Sequence, residues 1–169
     1  MKFILTLFIF SVHIVLYSQE YLYVGTNKYK STNGWECTIE GGYPEFGNAT
    51  LSVAKKTNGA YFIVSVDTHH PLKGTVMIYL ENGDAIKCSD TEMKDQHDGF
   101  SIGIYNLSLA EVEKMKKSNI ASVRVSCIMY SYDMYSFTIK NYYKMESYYG
   151  EDLKLTNLTA SDITELMKN

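Results

Sequence analysis

The chain has 169 residues, with 16 basic and 19 acidic side chains and a formal net charge of −3. That length fits one domain with enough material for its own core. The mild acidity and the single arginine, Arg124, exclude nucleic acid, whose binding depends on clustered Lys and Arg neutralising phosphates.

Met1-Lys2 is a short basic start, Phe3 to Tyr17 is a nearly unbroken apolar run, and Ser18-Gln19 offers a cleavage point. This is the anatomy of a secretory leader over residues 1–18, leaving a single β-rich domain over 19–169. A retained membrane anchor is the alternative. Against it, Ser11 and His13 interrupt the run and no basic cluster follows as a stop-transfer signal. Losing Lys2 with the leader takes the net charge from −3 to −4. The mature protein is expected to be exported, periplasmic or extracellular, with no membrane span.

Tyr21 to Val24 reads as a first strand and Gly25 to Gly34 as a polar loop. Trp35, Cys37 and Ile39 alternate with polar neighbours as a second strand, which Gly41-Gly42-Tyr43-Pro44 breaks. Ala49–Ala54 and Ala60–Asp67 form a hairpin around Asn58-Gly59, since Asn-Gly is a strong short turn signal. Thr75–Leu80 and Ala85–Cys88 form another, around Asn82-Gly83-Asp84, and a polar loop from Ser89 to Gly99 follows.

Phe100 to Cys127 carries the most concordant local signals. Phe100, Ile102 and Ile104 alternate along one strand, and Val123, Val125 and Cys127 along another. Between them, Ser108 and Glu111 have capping-box spacing, Leu107 and Val112 that of a hydrophobic staple, and Lys114, Lys116 and Lys117 suit a helix C-terminus. Tyr135, Phe137 and Ile139 mark a further strand, and Thr159 to Met167 a second helix, with Thr159 and Asp162 as cap partners and Leu158–Ile163 as staple. The phrases Asn106-Leu107-Ser108 and Asn157-Leu158-Thr159 open the two helices alike, by duplication or by shared capping chemistry. Eight or nine short strands with two helices predict a mainly β protein, an antiparallel β-sandwich or open barrel with two short helices. The alternative is an α+β layer whose helices cover one sheet.

Three cysteines, Cys37, Cys88 and Cys127, fall on core-facing strand positions. Cys88–Cys127 is the candidate disulfide, and three buried free thiols are the alternative. No CxxC spacing points to a zinc ribbon or redox dithiol, and no cofactor is expected. His69 and His70, with His97, sit in the two polar segments 67–71 and 89–99, which would offer imidazoles and carboxylates to a metal if they met. Adjacent loop histidines are more often simply solvated. A glycosidase-type pair could be drawn from Asp90, Glu92, Asp95 and Asp98, and Asp90, Glu92 and Asp95 offer oxygen ligands to calcium. Four acids in one polar segment are by default a solvated surface, however, and the DxDxDG order is missing. The N-x-Ser/Thr sequons at Asn48, Asn106 and Asn157 carry no separate argument, since two coincide with helix caps.

The 15 tyrosines are the strongest compositional feature. Tyr61, Tyr79, Tyr130 and Tyr132 fall on the strand faces opposite the core positions, so those faces are either covered by the helices or form a docking surface. Leu109, Val112 and Met115, with Ile163, Leu166 and Met167, would supply the helical cover. The expected function is an exported, non-catalytic binding or interaction module for a protein or glycan, through Tyr61, Tyr79, Tyr130 and Tyr132. The alternatives are a metal- or carboxylate-dependent hydrolase using the 67–71 and 89–99 segments, and a structural component of the cell envelope.

Overall fold

A computed structural model describes residues 20–41, 46–129, 133–146 and 152–168. The leader expected over residues 1–18 lies outside these residues, as do Tyr130 and Tyr132. The described chain is mainly β. Its strands are β1 (Glu20–Val24), β2 (Asn27–Ser31), β3 (Trp35–Glu40), β4 (Ala49–Lys56), β5 (Gly59–Asp67), β6 (Val76–Leu80), β7 (Ala85–His97), β8 (Phe100–Leu107), β9 (Ile120–Ile128), β10 (Met134–Lys140), β11 (Tyr142–Glu146) and β12 (Asp152–Thr156). Two short helices, α1 (Leu109–Met115) and α2 (Thr159–Lys168), complete it. No helix among the described residues is long and apolar enough to cross a membrane.

The strands pair in the order β4-β3-β10-β9-β6-β7-β8-β5, and β5 pairs back to β4, closing an eight-stranded antiparallel barrel. The mainly β antiparallel character and the two short helices are as expected. Closure is the addition, and alternation alone does not specify it. The closing hairpin is the one predicted at Asn58-Gly59. Gly59 has φ +113°, and a Cβ there would meet the Leu107 carbonyl oxygen at 2.1 Å, so glycine is required both by conformation and by the neighbouring strand.

Alternate residues point into the ring. Trp35, Leu51, Phe62, Val64, Ile78, Cys88, Tyr105, Val125 and Ile139 belong to one buried cluster. A ring of eight strands is just wide enough for such side chains to fill it. The helices join this same cluster through Val112, Met115, Ile163 and Leu166. They therefore seal one end of the ring, where β4, β6, β8 and β10 finish and β3, β5, β7 and β9 begin. This corrects the expectation that they lie across the tyrosine-bearing outer face. Ala54 and Ile63, which face outward, are buried but stand apart from the inner cluster.

Several local readings change. Asn27–Ser31 is a strand, not loop, and pairs with β1 through five register steps as an arm joined to β4 at Ser31 and Ala54. The 89–99 segment is mostly the second half of β7, interrupted by a bulge between Asp90 and Lys94. The β11–β12 hairpin arises from a tyrosine-rich run that shows no clear period. The Cys88–Cys127 bridge is not formed: all three cysteines are free and buried. β6 lies between the strands that carry Cys88 and Cys127. Two interstrand spacings, roughly 9–10 Å, exceed the ~7 Å over which Cα atoms can be bridged.

The capping box of α1 forms as predicted, with Ser108 Oγ accepting the Glu111 N–H at 3.3 Å and Glu111 Oε2 accepting the Ser108 N–H at 2.7 Å. The cap of α2 does not. Thr159 is fully buried, and its Oγ1 accepts the N–H of Ile120 at 2.8 Å, while Asp162 accepts from Trp35 Nε1 at 2.8 Å. The orphan N–H of Ala160 goes to Asn119 Oδ1 instead, at 3.0 Å. Leu158 is 66% exposed and staples nothing to the core. Tertiary contacts have taken over the residues that would cap the helix locally. Thr159→Val keeps the shape but orphans a buried N–H, and should cost about 1–3 kcal/mol in urea denaturation. Leu158→Ala should stay within about 0.5 kcal/mol of the parent.

Candidate functional site

With the interior filled by side chains, the candidate sites are on the outside and at the end of the ring opposite the helices. Tyr61 faces outward from β5, opposite Ala54 of β4 and Asn106 of β8. Its ring meets Tyr29 of β2 edge to face, with centroids 5.2 Å apart. The Lys56 ammonium sits 4.3 Å from the Tyr61 ring centre and donates to Asn106 Oδ1 at 2.7 Å. Burial and the hydrogen bond with Tyr29 push the Tyr61 phenol up from its ordinary value. Ile63 and Ile104 pair in register beside it. The face holding Tyr61 is thus half-covered by the β1–β2 arm, not by a helix.

Tyr79 is exposed on β6, opposite Ser122 of β9. Two strands, β7 and β8, separate it from Tyr61 around the ring. The two tyrosines therefore belong to different outer faces. Tyr29 was missed because Asn27–Ser31 reads as polar. The signal available was the Tyr29 and Ser31 parity across from Leu22 and Glu20.

The 67–71 segment and the end of β7 do meet, at the end of the ring opposite the helices. Gln96 Nε2 donates to the His69 carbonyl at 2.8 Å and to Ser101 Oγ at 3.1 Å, and Ser101 Oγ donates to the Thr68 carbonyl at 3.1 Å. The imidazoles do not converge with them. His70 is buried, with its ring 6.0 Å from that of Phe46, whereas His69 is exposed and His97 pairs with Asp98 in the β7–β8 turn at 3.1 Å. Among the described residues no group of three or more His, Cys, Asp or Glu side chains is placed to hold a metal. Nor are the thiols poised for nucleophilic chemistry. Burial pushes Cys37 and Cys88 up to about 12, with Glu111 adding to the effect at Cys88.

Of the four acids in 89–99, Asp90 has a structural task. It sits opposite Tyr105, at the start of the β7 bulge. Its carboxylate accepts the Glu92 N–H at 2.8 Å, the Gly74 N–H at 3.0 Å and the Lys94 ammonium at 2.7 Å. These bonds fix the bulge, including the positive φ of Glu92, and tie it to the β5–β6 connection. Lys94 also lies 4.3 Å from the centre of the Tyr105 ring, whose hydroxyl is buried with no hydrogen-bond partner among the described residues. The phenol packs over Gly103, where a Cβ would come within 2.7 Å of its oxygen. Burial, Asp90 and Cys88 all raise the Tyr105 phenol, so it stays neutral.

A groove of about 290 Å³ opens on the outer surface where β9 begins and β10 ends, beside the β11–β12 hairpin. Ile120, Ala121 and Asn141 line it together with Glu81, which follows β6, and Tyr142, Lys154 and Thr156 from the hairpin. Asn141 is buried and donates to the carbonyls of Ile120 at 2.7 Å and Asn157 at 3.0 Å. Glu40 accepts from the Tyr142 hydroxyl at 2.8 Å and pairs with Lys140 at 3.7 Å. Sequence reasoning missed this groove because its residues come from five separate segments with no shared spacing.

Comparison with protein families, with curated proteins and with solved structures finds no match to the chain.

Burial alone would raise the Asp90 carboxyl, but the hydrogen bonds from Lys94, Glu92 and Gly74 outweigh it and hold the group below its ordinary value. The stability this contributes is fully present above the unfolded carboxyl pKa, about 4. It is lost as pH falls through the lower folded value. Asp90→Asn should therefore destabilise the protein at neutral pH and flatten the fall in urea midpoint below about pH 4.

Proposed function

We propose that the protein is an exported, non-catalytic binding module that takes a protein or glycan partner on its tyrosine-bearing outer faces. The observation that carries this reading is the outward cluster of Tyr61, Tyr29 and Lys56. It combines a half-buried pair of aromatic rings, a cation over one of them and an amide at Asn106 within hydrogen-bond reach. Tyrosine presents rigid amphipathic area at little entropic cost, which suits recognition of sugars and protein surfaces. Tyr79 marks a second such face on β6, and Tyr130 and Tyr132 extend the same reading beyond the described residues. The closed ring supports a binding role, because it holds these outer faces rigid without lending its interior to a ligand.

Export follows from the leader of residues 1–18. Intact-mass analysis of the protein recovered outside the cytoplasm should give a chain that starts at Gln19.

The binding reading is tested with the leaderless protein on a glycan array and in crosslinking to the exporting cell's envelope fraction. The parent is compared with a Tyr29→Ser/Tyr61→Ser double variant. The variant should keep a native circular dichroism spectrum while the bound glycan or crosslinked partner falls at least about tenfold, a cost of about 1.4 kcal/mol. Equal signals from both proteins would show that this face does not recognise a partner.

A further inference from the structure

We infer that the groove between the start of β9 and the β11–β12 hairpin is a binding site for a short zwitterionic peptide, with the ligand's carboxylate on Lys154 and its ammonium on Glu81. The charges of the groove carry the inference. It is lined by two acids, Glu40 and Glu81, and two lysines, Lys140 and Lys154. Glu40 is already matched, by Lys140 at 3.7 Å and by the Tyr142 hydroxyl at 2.8 Å. Lys154 forms no ion pair among the described residues; its ammonium lies 3.7 Å from the centre of the Tyr142 ring. The Glu81 side chain has one neutral partner, Asn119 Nδ2, at 3.2 Å. One cation and one anion are thus left over, the cation on the hairpin and the anion beyond the end of β6. A ligand with a single charge would leave one of them uncompensated, whereas a zwitterion satisfies both.

The floor between them is fixed in advance. Buried Asn141 holds the Ile120 and Asn157 carbonyls, and Asn157 Nδ2 reaches the Glu36 carbonyl at 2.8 Å and Asn141 Oδ1 at 2.9 Å. Contact with Tyr142 likewise restricts Lys154, so little ordering remains to be done on binding. A volume of about 290 Å³ lies at the small end for ligand sites, which suits a di- or tripeptide and not a folded partner. β9 stands across the ring from β5, so this site is separate from the Tyr61 face and stands or falls independently of it.

Calorimetric titration of the leaderless protein with Ala-Ala tests the assignment, alongside N-acetyl-Ala-Ala, Ala-Ala amide and methyl glucoside. Ala-Ala should bind, and Lys154→Gln and Glu81→Gln should each weaken it about tenfold without changing the melting temperature. Both variants alter exposed side chains, so folding is not at stake. N-acetyl-Ala-Ala should be indifferent to Glu81→Gln, and Ala-Ala amide indifferent to Lys154→Gln. No binding of Ala-Ala at about 10 mM, where a site of millimolar affinity would be mostly filled, overturns the assignment. Binding that neither variant changes also overturns it, as does methyl glucoside binding as well as the peptide.

Discussion

The pairing of β4 with β5 is the constraint on which the rest of the structure depends. Eight register steps, from Ala49 opposite Val66 to Lys56 opposite Gly59, join what would otherwise be the two ends of an eight-stranded sheet. Once joined, inside and outside become fixed for every strand, because side-chain direction alternates with period two. A slip of one residue would turn Phe62 and Val64 out to solvent and bring Tyr61 and Ile63 in. The large apolar area at stake makes that slip costly, at about 1.5–3 kcal/mol for each large side chain exposed.

The two ends of the ring are closed by different chemistry. At one end the helices contribute Val112, Met115, Ile163 and Leu166 to the core, but their placement depends on polar contacts. Thr159 to Ile120, Asp162 to Trp35 and Asn119 to Ala160 each join a helix residue to a strand or its flank. Apolar packing is non-directional and would tolerate several helix positions, whereas hydrogen bonds to buried partners select one. At the other end, with no helix present, backbone and side-chain hydrogen bonds perform the closure. Asp90 binds the β7 bulge to Gly74, and Ser101 and Gln96 bind the β8 start to Thr68 and His69.

Legibility followed the range of the interactions. The start of α1 was readable because its cap lies within four positions, Ser108 to Glu111, although the helix ends sooner than its lysines suggest, at Met115. The β4–β5 hairpin was readable because Asn-Gly states its own turn. α2 was placed correctly, but its cap was misread, since Thr159 and Asp162 serve partners 39 and 127 residues away. The second half of β7 read as loop because its bulge interrupts the period and its composition is polar. β2 was lost for the same compositional reason. That tyrosine faces the outside was legible for Tyr61 and Tyr79, because parity fixes a face. Which outer faces adjoin was not, because that depends on strand order around the ring.

The same geometry supports the proposed reading of this surface as one for recognition. A catalytic site needs titratable groups brought within reach of one another, with environments that move their pKa values apart. Among the groups with shifted values, Cys37, Cys88, Cys127 and Tyr105 are turned inward and silenced, and Asp90 is consumed in holding a bulge. The outward Tyr61 and Tyr142 phenols are pushed further toward their neutral form. The three described histidines are divided among a buried position, an exposed loop and an exposed turn. The outer faces instead offer Tyr61 and Tyr79 on strands of the closed ring, Tyr29 on the β1–β2 arm and Tyr142 on the β11–β12 hairpin, with an ammonium group over the Tyr61 and Tyr142 rings. Strands paired into a closed ring hold a fixed array of contacts. A partner that meets such an array loses little of its binding energy to reordering the protein.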